Sequence, residues 1–331
     1  MFELQRYKNN PILTPIKEHR WESRAVFNPA AVIFKNKIYL VYRAIGEDMF
    51  QGSPISRLGL AVFKKDGVTL EKRLPYPIYE PQAWYEPAGC EDPRITKING
   101  KYFMLYTAYL GKKTPPFFEK EATNIAMAST TDFKTWERYG LILPEVIQPE
   151  KNGVLFPKKI KGYFVIYYRV DPDIYVAYSK SLENPRWIGH KKIISPRDGW
   201  WDSWKIGSGA PPIETPLGWL LIYHGVEEKM PPRREIIKKR AKAKLARIYR
   251  LGVILIDKKN PEKIIYRSKN PILEPKEKYE KEGEVPNVVF CCGAVVVEDE
   301  LFVYYGGADT VVGVAKTKLS TLLKKIKRGE L

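Results

Sequence analysis

The chain has 331 residues, of which 44% are hydrophobic and 13% aromatic, and its formal net charge is +18. Such a composition can fill a packed core and excludes an intrinsically disordered chain, and the lack of any long apolar run excludes a membrane partner. The positive charge is what a nucleic-acid partner would need, but no DNA- or RNA-binding signature accompanies it, so we expect no nucleic acid.

Five segments share one pattern, an apolar strand, a short polar turn and a second strand rich in Tyr, Val, Ile and Phe. This pattern predicts a β-hairpin. The segments are FNPAAVIFKNKIYLVYR (27–43), EDPRITKINGKYFMLYTAY (91–109), NGVLFPKKIKGYFVIYYR (152–169), GSGAPPIETPLGWLLIYHG (207–225) and VVFCCGAVVVEDELFVYYGG (288–307). Their recurrence indicates an all-β chain built from an internal repeat.

Further strands are predicted after the hairpins. A third strand follows each hairpin, at 58–67, 124–133, 173–182, 250–259 and 311–319. A fourth, proline-bounded strand follows the first four, at 76–81, 140–145, 191–196 and 270–275. The fifth hairpin has no such strand after it, and the missing piece is NPILTP at 10–15, which nearly repeats NPILEP at 270–275.

Four strands in each of five repeats predict a five-bladed β-propeller. We expect one domain over residues 1–331, whose last blade is closed by the N-terminal strand. A β-sandwich with accidental similarities is the alternative, but it does not explain the fivefold order. The basic run at 233–247 predicts a helical insert, either solvated or acting as a lid or an oligomer contact, and 318–331 predicts a C-terminal helix or tail.

Polar residues collect where the first strand of each hairpin begins and the second ends. These two points lie at the same end of an antiparallel hairpin, so we expect one shared mouth. Its cations outnumber its carboxylates, which favours an anionic ligand such as phosphate. Alternatively, each arginine only pairs with a neighbouring carboxylate and ties blades together. The predicted members are Asn28, Arg43, Asp92, Arg94, Lys151, Asn152, Arg169, Lys205, His224 and Asp309.

Aromatic residues accompany these polar positions. Trp84 and Tyr85 precede the EDPR turn, and GWWDSW at 199–204 precedes Lys205. Aromatic faces beside acids and amides suit a carbohydrate ligand, although tryptophans at the corners of blades also serve as plain packing. We expect at least one of these side chains to contact a sugar.

Motifs spread over nearly the whole chain resemble glycoside hydrolase family 130, the β-mannoside phosphorylases and related mannosidases. They are FNPAAV with YLVYR, EDPRI, KNGVLFPKKI, WKIGSGAPPIETPLGWLLIYHGV, YRSKNPILEP, VPNVVFCCGA and YYGGADT. The resemblance implies a five-bladed propeller that breaks a β-mannosidic bond with inversion. It also implies inorganic phosphate as co-substrate and α-mannose 1-phosphate as product.

The resemblance implies a role for most of the predicted mouth. Asp92 would be the general acid, acting through a hydroxyl of the mannose. Substrate would bind at Asn28, Arg43 and Asp309, and we expect Arg94, from the same turn as Asp92, to join them. Many of these phosphorylases have arginine where this chain has Lys151, which keeps the charge but lacks the planar fork. The implied phosphate-binding residues are Lys151, Asn152, Arg169, Lys205 and His224.

Two other functions remain open. One is an inverting β-mannosidase that uses water, with Glu214 or Glu227 as candidate base. The other is a non-catalytic propeller that binds carbohydrate. The sequence does not distinguish a β-1,2 from a β-1,4 linkage, and it reveals neither the acceptor sugar nor whether the chain forms a homo-oligomer.

Cysteine and histidine usage bears on cofactors and compartment. The three cysteines, Cys90 and the adjacent Cys291 and Cys292, form no disulfide framework and no metal-ligand spacing, and there are only three histidines. The N-terminus does not resemble a signal peptide. We therefore expect a cytoplasmic enzyme with no metal and no cofactor besides phosphate.

Overall fold

The computed structural model describes residues 2–111, 122–229 and 246–331. Most of the predicted basic insert at 233–247 lies outside these residues, and its last two residues begin a β-strand. The fold is nearly all-β, as predicted, and its strands form five units in chain order. No helix within the described ranges has the length and apolar character needed to cross a bilayer.

The first two units contain four strands each. Unit 1 consists of β2 (Ala25–Phe34), β3 (Lys37–Phe50), β4 (Ser53–Phe63) and β5 (Leu70–Arg73). Unit 2 consists of β6 (Gly89–Ile98), β7 (Lys101–Gly111), β8 (Ala122–Thr130) and β9 (Glu137–Leu141). One parallel bridge, between Ser56 and Gly89, joins these two units into a single eight-stranded sheet.

The remaining units are separate sheets. Unit 3 consists of β10 (Glu150–Leu155), β11 (Phe164–Val170), β12 (Asp173–Ser179) and β13 (Ile188–Ile194). Unit 4 consists of β14 (Lys205–Ser208), β15 (Ile213–Thr215), β16 (Gly218–Lys229), β17 (Ala246–Ile256) and β18 (Ile264–Arg267). Unit 5 consists of β19 (Val289–Val297), β20 (Glu300–Gly307), β21 (Val311–Lys318) and the N-terminal β1 (Gln5–Arg6).

The described helices are short and lie outside the sheets. A single 3₁₀ turn, Arg20–Glu22, precedes unit 1. Helix α1 (Lys278–Lys281) precedes β19, and helix α2 (Leu319–Arg328) follows β21. The buried Leu322 and Ile326 of α2 pack onto the hydrophobic core between units 4 and 5. Gly329 ends α2 in the left-handed conformation that favours glycine, with φ of 67°.

All five predicted hairpins are present, but the predicted fourth strands are displaced. In units 1 and 4 the ladder strands β5 and β18 precede the proline-bounded segments 76–81 and 270–275. Those segments make only isolated bridges, Tyr79 to Leu58 and Leu273 to Leu251. Proline has no N–H to donate, so it ends a ladder instead of continuing it. In units 2 and 3 the fourth strands overlap the predicted segments 140–145 and 191–196.

The N-terminal segment supplies the outer strand of unit 5, as predicted. Strand β1 pairs antiparallel with β21, with Gln5 opposite Lys316 and Arg6 opposite Ala315. The predicted NPILTP strand itself makes only the bridge between Leu13 and Val312. The two ends of the chain therefore meet in one sheet.

A buried salt-bridge triad recurs in four units. Each triad joins a tyrosine of the second hairpin strand, a carboxylate that precedes the first strand, and an arginine of the fourth strand. The triads are Tyr42, Glu22 and Arg73; Tyr106, Glu86 and Arg138; Tyr223, Asp202 and Arg267; and Tyr305, Glu280 and Arg6. Because Arg6 lies in β1, the repeat itself marks β1 as the fourth strand of unit 5.

Unit 3 departs from this pattern. The hydroxyl of Tyr168 is 2.7 Å from Nδ1 of His190, which lies in β13 where the other units have arginine. Nε2 of His190 is in turn 3.0 Å from Oε1 of Glu145. In unit 3 the imidazole of His190 therefore links the tyrosine to the carboxylate of Glu145, in place of the arginine of the other units.

The hydrophobic core is divided among the spaces between consecutive units. Separate clusters of buried side chains join units 1 and 2, units 2 and 3, units 3 and 4, and units 4 and 5. A further cluster joins unit 5 back to unit 1, for example through Val295, Phe302 and Leu40. Burial of each Leu or Phe contributes about 1.5–3 kcal/mol. Buried side chains thus join each unit to the next along the chain, and unit 5 to unit 1.

Candidate active site

A cavity of about 400 Å³ is lined by residues from all five units. Among the predicted site residues, it brings together Asn28, Arg43, Asp92, Lys151, Asn152, Arg169, Lys205 and Asp309. Two predicted residues, Arg94 and His224, lie outside its lining. The cavity therefore gathers eight of the ten residues that the strand-end argument grouped at one mouth, and the His224 ring lies close to Asn152 although it is not part of the lining.

Three of the lining residues occupy the same special position in their units. Asn28, Asp92 and Asn152 have φ values of 49°, 50° and 57° and lie where the ladder of the first hairpin strand is interrupted by a bulge. Asn and Asp tolerate this left-handed conformation better than most residues. A bulge redirects a side chain out of the regular alternation. The repeat thus directs three polar side chains into one cavity.

Alternation along the second hairpin strand positions the other polar groups. Arg43, Arg169 and His224 each directly follow the second-strand tyrosine of their unit, Tyr42 in the case of Arg43. Neighbouring residues of a strand point to opposite faces. The tyrosine side chain points to the triad, or to the corresponding contact with histidine in unit 3. The side chain of the next residue therefore points to the opposite face of the sheet, on the side of the cavity.

The carboxylate side of the cavity consists of Asn28, Arg43, Glu91, Asp92 and Asp309. Arg43 donates from Nη2 to Oε1 of Glu91 at 2.6 Å and from Nη1 to Oδ1 of Asp92 at 3.3 Å. Asn28 donates from Nδ2 to the same Asp92 oxygen at 2.8 Å. These hydrogen bonds hold the carboxylates in place. Within the described residues, the Asp92 carboxylate accepts its hydrogen bonds through Oδ1.

The two aspartates of this side differ in protonation when the cavity is empty. Burial would raise the pKa of Asp92, but the guanidinium groups of Arg43 and Arg94 and the hydrogen bond from Asn28 bring it below its usual value. Burial raises the pKa of Asp309 to about 7, against the opposing effect of Arg43 and with the Asp92 charge adding to the rise. At neutral pH Asp92 is therefore ionised, and Asp309 is partly protonated.

The cation side of the cavity consists of Lys151, Asn152, Arg169, Lys205 and Arg247. Arg169 pairs through Nε with Asp171 at 2.5 Å, and Arg247 donates from Nε to Oε1 of Glu228 at 2.9 Å. Burial and the charges of Arg169, Lys151 and Arg247 together lower the pKa of Lys205 to about 7, against the opposing effect of Asp171. This side is therefore short of negative charge.

Several buried polar atoms near the cation side have no hydrogen-bond partner among the described residues. They include Oδ1 of Asn152 and both ring nitrogens of His224, which is fully buried. A Cβ added to Gly207 would lie 2.5 Å from Asn152 Oδ1 and from His224 Cε1, so only glycine allows this approach. Unsatisfied buried polar atoms are costly and indicate a ligand or water that completes them.

His224 is neutral in the empty protein, contrary to its predicted place among the cations. Burial lowers its pKa well below the ordinary value, and Arg169, Arg94 and Lys205 lower it further. Its ring packs against Phe290, with a centroid distance of 4.5 Å. A neutral imidazole can still donate one hydrogen bond to a phosphate oxygen, but it adds no charge.

Arg94 has a different environment from the predicted contact with substrate. Its side chain is buried, and its guanidinium donates to the carbonyl oxygens of Asp92 at 2.8 Å, Gly209 at 2.8 Å and Ser208 at 3.2 Å. These bonds tie unit 2 to unit 4 and fix the backbone of Asp92. The geometry supports a positioning role, because each guanidinium nitrogen donates to a backbone carbonyl and the side chain does not line the cavity.

The tryptophans proposed as sugar platforms do not line the cavity. Trp201 donates its indole N–H to the carbonyl of Lys269 and packs against Tyr223. Trp200 is contacted by Arg197, and Trp84 is 75% exposed away from the lining. The aromatic side chains of the described lining are instead Tyr109, Tyr249 and Phe290.

The proposed catalytic bases of the hydrolase alternative also lie elsewhere. Glu214 pairs with Lys158, and Glu227 pairs with Arg250 and Lys229. Neither glutamate is part of the described cavity lining, whose only carboxylates are Glu91, Asp92 and Asp309. No group of three or more Asp, Glu, His or Cys suited to a metal ion occurs in the described ranges.

The lining residues that sequence reasoning missed include Arg247 and Tyr249. Arg247 is the last residue of the basic run, and both stand in β17, where they face the same side because they are two residues apart in a strand. Their alternation with Ile248 is the signal that could have separated this strand from the insert. The assignment of 233–247 to a helix concealed it.

A family model described as beta-1,4-mannooligosaccharide phosphorylase matches residues 3–328. A 1,2-beta-oligomannan phosphorylase from Thermoanaerobacter sp. (strain X514) is 42% identical over 317 residues, covering 95% of this chain and 97% of that protein. A beta-1,2-mannobiose phosphorylase from the same organism is 44% identical over 323 residues, with the same coverage. The solved beta-1,2-mannobiose phosphorylase of Listeria innocua, in complex with beta-1,2-mannobiose, has a TM-score of 0.80 at 25% identity, covering 98% of this chain and 99% of that chain. The chain belongs to glycoside hydrolase family 130.

Proposed function

We propose that this protein phosphorolyses β-mannosides with inversion, giving α-mannose 1-phosphate and a shortened acceptor. The bond from the mannose C1 to the acceptor oxygen breaks, a bond from C1 to a phosphate oxygen forms, and a proton passes to the acceptor oxygen. The observation that carries this proposal is a single cavity with carboxylates on one side and an excess of cations on the other. The reaction is reversible and uses no cofactor besides phosphate.

The cation side favours phosphate over water as nucleophile. An inverting hydrolase needs a second carboxylate that activates water, opposite the acid. The cation side has Lys151, Arg169, Lys205 and Arg247, and the candidate bases Glu214 and Glu227 are engaged outside the cavity. Phosphate is already anionic, so it would offset the charge imbalance and accept a hydrogen bond from the ring N–H of His224, and the hydroxyl of hydrogen phosphate can donate to Oδ1 of Asn152.

We assign the roles as follows. Asp92 is the general acid, and it acts through a hydroxyl of the bound mannose. Asn28, Arg43 and Asp309 bind the mannose, and Arg94 positions Asp92. The phosphate-binding residues are Lys151, Asn152, Arg169, Lys205 and a neutral His224.

Phosphate binding gives Asp92 the protonation that an acid needs. In the empty cavity the pKa of Asp92 lies below its usual value, and Lys151 is one of the groups that lower it. A phosphate dianion beside Lys151 offsets this positive field, and bound sugar removes water, so both ligands raise the pKa of Asp92. The acid is thereby protonated when both substrates are present.

The two relatives at 42% and 44% identity are named for β-1,2-linked mannosides, whereas the family description names β-1,4. We infer that the linkage cleaved here is β-1,2. The acceptor is then mannose or a β-1,2-oligomannoside. The three free cysteines, all buried, suit a reducing cytoplasmic compartment for this reaction.

We also infer that residues 1–331 form one five-bladed propeller. The cycle of core clusters that returns from unit 5 to unit 1 supports this arrangement. The triad arginine of β1 supports the N-terminal strand as the outer strand of the last blade. In such a ring the starts of the first hairpin strands surround one axis, as the shared cavity requires.

Incubation with β-1,2-mannobiose, with and without phosphate, tests the proposed function. We expect α-mannose 1-phosphate and mannose in equal amounts, and only when phosphate is present. Two molecules of free mannose per disaccharide without phosphate would indicate a β-mannosidase. Binding of the disaccharide without any product would indicate a carbohydrate-binding protein. A parallel reaction with β-1,4-mannobiose tests the linkage.

A further inference from the structure

Arg247 and Lys205 both contact the indole of Trp204. The ring centroid of Trp204 is 4.1 Å from Cζ of Arg247 and 4.4 Å from Nζ of Lys205. Both cations line the cavity, whereas Trp204 does not. The indole therefore supports the two side chains from outside the lining, and its attraction for cations holds them close despite their like charge.

The guanidinium of Arg247 is only partly engaged. Its Nε donates to Oε1 of Glu228, and no hydrogen bond of its two terminal nitrogens is found among the described residues. The side chain is 50% exposed, whereas that of Arg169 is 9% exposed. A planar guanidinium held by a ring and one carboxylate retains a pair of N–H groups whose geometry matches phosphate oxygens.

The strand register places Arg247 on the cavity face. Arg247 and Tyr249 both line the cavity, and they lie opposite Glu228 and Val226 in the pairing of β17 with β16. The regular pairing over this stretch leaves Ile248 on the other face. Arg247 is therefore part of the site, although it is the last residue of a basic run whose sequence is typical of solvated surface.

We propose that Arg247 is a further phosphate-binding residue at the outer edge of the cation side. It binds inorganic phosphate in phosphorolysis and the phosphate group of mannose 1-phosphate in the reverse reaction. The inference rests on the proposed function. Because Arg247 is half exposed and Arg169 and His224 are buried, an entering anion meets Arg247 first. An exposed cation at a cleft also raises the rate of anion capture.

The variant Arg247→Gln tests this role, because glutamine keeps much of the side-chain length and removes the charge. Calorimetry with inorganic phosphate alone should show about tenfold weaker binding at low salt, since charge-assisted hydrogen bonds are lost. The difference should shrink as ionic strength rises, because half-exposed charges are screened. The Michaelis constant for β-1,2-mannobiose should stay within about twofold of the wild-type value.

Two further variants separate binding from packing. Arg247→Lys keeps the charge and loses the planar stack on Trp204, so it should regain most of the lost phosphate affinity. Lys229→Gln removes an equally exposed charge from the neighbouring strand outside the cavity, and it should change phosphate affinity less than about twofold.

The outcomes are distinguishable from those of the proposed function. If wild type binds phosphate and Arg247→Gln binds it equally well, or if Lys229→Gln weakens binding as much, the inference is wrong. If Arg247→Lys binds phosphate as weakly as Arg247→Gln while Lys229→Gln binds normally, the planar guanidinium itself makes the contact. If Lys229→Gln is weakened as well, the inference is wrong. Wild-type protein that binds no phosphate would contradict the proposed function and the inference with it.

Discussion

The buried salt-bridge triads and the cavity both place arginines beside carboxylates inside the protein, but the cation side of the cavity also holds a lysine, Lys205, that neighbouring cations repel. In unit 1, Glu22 accepts from Arg73 at 2.6 Å and from Tyr42 at 2.8 Å, so donors and acceptors are balanced. On the cation side of the cavity, charges of one sign repel one another and lower the pKa of Lys205 to about 7. The triads are complete without a ligand, and the cavity is not.

This contrast shows how the chain separates stability from function. Removing one partner of a satisfied buried pair leaves a charge stranded, which costs stability. Removing one cation from a group of like charges relieves their mutual repulsion. The loss is then confined to the binding free energy that this cation would have contributed to the ligand. The same type of substitution should therefore have opposite effects on stability in the two regions, and each prediction below tests one side of that contrast.

The largest effect is expected at the carboxylate side, from Asp92→Asn. Loss of general-acid catalysis should lower kcat for phosphorolysis of β-1,2-mannobiose by about 10²–10⁴-fold. Because asparagine has nearly the shape of aspartate and its amide oxygen can still accept from Arg43 and Asn28, the thermal midpoint should change little. Product release measured by chromatography checks this, and turnover close to wild type would remove Asp92 from the role of acid.

In the triads, Arg73→Met should act on stability instead. It leaves the buried Glu22 with Tyr42 and His19 as its side-chain partners among the described residues, so the free energy of unfolding should fall by about 3–5 kcal/mol. Urea denaturation measures it. The exposed neighbour Lys72 provides the control, since Lys72→Met should change stability by less than about 0.5 kcal/mol. Equal midpoints for the two variants would show that the triad is not a stabilising element.

On the cation side, Arg169→Ala should act on phosphate. Loss of a charged hydrogen-bonding partner is worth about 1.5–3 kcal/mol, so the Michaelis constant for phosphate should rise by about one to two orders of magnitude. The constant for the mannoside should change far less, because Arg169 pairs with Asp171 and makes no described contact with the carboxylate side. Initial rates over a matrix of both substrate concentrations separate the two. A similar rise in the Michaelis constants for phosphate and for the mannoside would indicate that Arg169 supports the packing of the site and does not bind phosphate.

Much of this contrast could be predicted from the sequence, and its limits have physical causes. Alternating strands report local geometry, so the hairpins and the strand-end residues were predictable. The triads join residues such as Arg6 and Glu280, which are 274 positions apart, and no local pattern encodes such a pair. Whether a sugar can reach an indole depends on which side chains cover the ring, and a local sequence pattern does not reveal them. The indole of Trp204, for example, is contacted by Lys205 and Arg247. One signal of the triads was present in the sequence and was not used. A glycine such as Gly59 pairs with the triad tyrosine Tyr42 on the neighbouring strand and leaves room for its ring.

The most discriminating effect concerns the pH dependence of stability at Lys205. Its pKa is about 7 in the folded protein and 10.5 ordinarily, so between these values the unfolded chain binds a proton that the folded chain does not. Stability contributed by this group therefore rises from pH 7 to 10.5, and the full penalty is present below pH 7. Each pKa unit of this shift corresponds to a penalty of about 1.4 kcal/mol for the charged lysine. This penalty exceeds the roughly 0.5–1 kcal/mol that the contact of the lysine with the Trp204 indole contributes.

Lys205→Met should consequently be more stable than wild type at pH 6 without phosphate, and the difference should vanish towards pH 10. The sign is opposite to that of Arg73→Met, although both substitutions exchange a buried cation for methionine. Added phosphate should reverse the order at pH 6, because it pairs with the protonated lysine of wild type and stabilises the folded state by mass action. Thermal midpoints with and without phosphate measure both effects. A Lys205→Met variant that is less stable than wild type at pH 6 in phosphate-free buffer would mean that the cation side is balanced internally, like the triads, and holds no unfilled place for an anion.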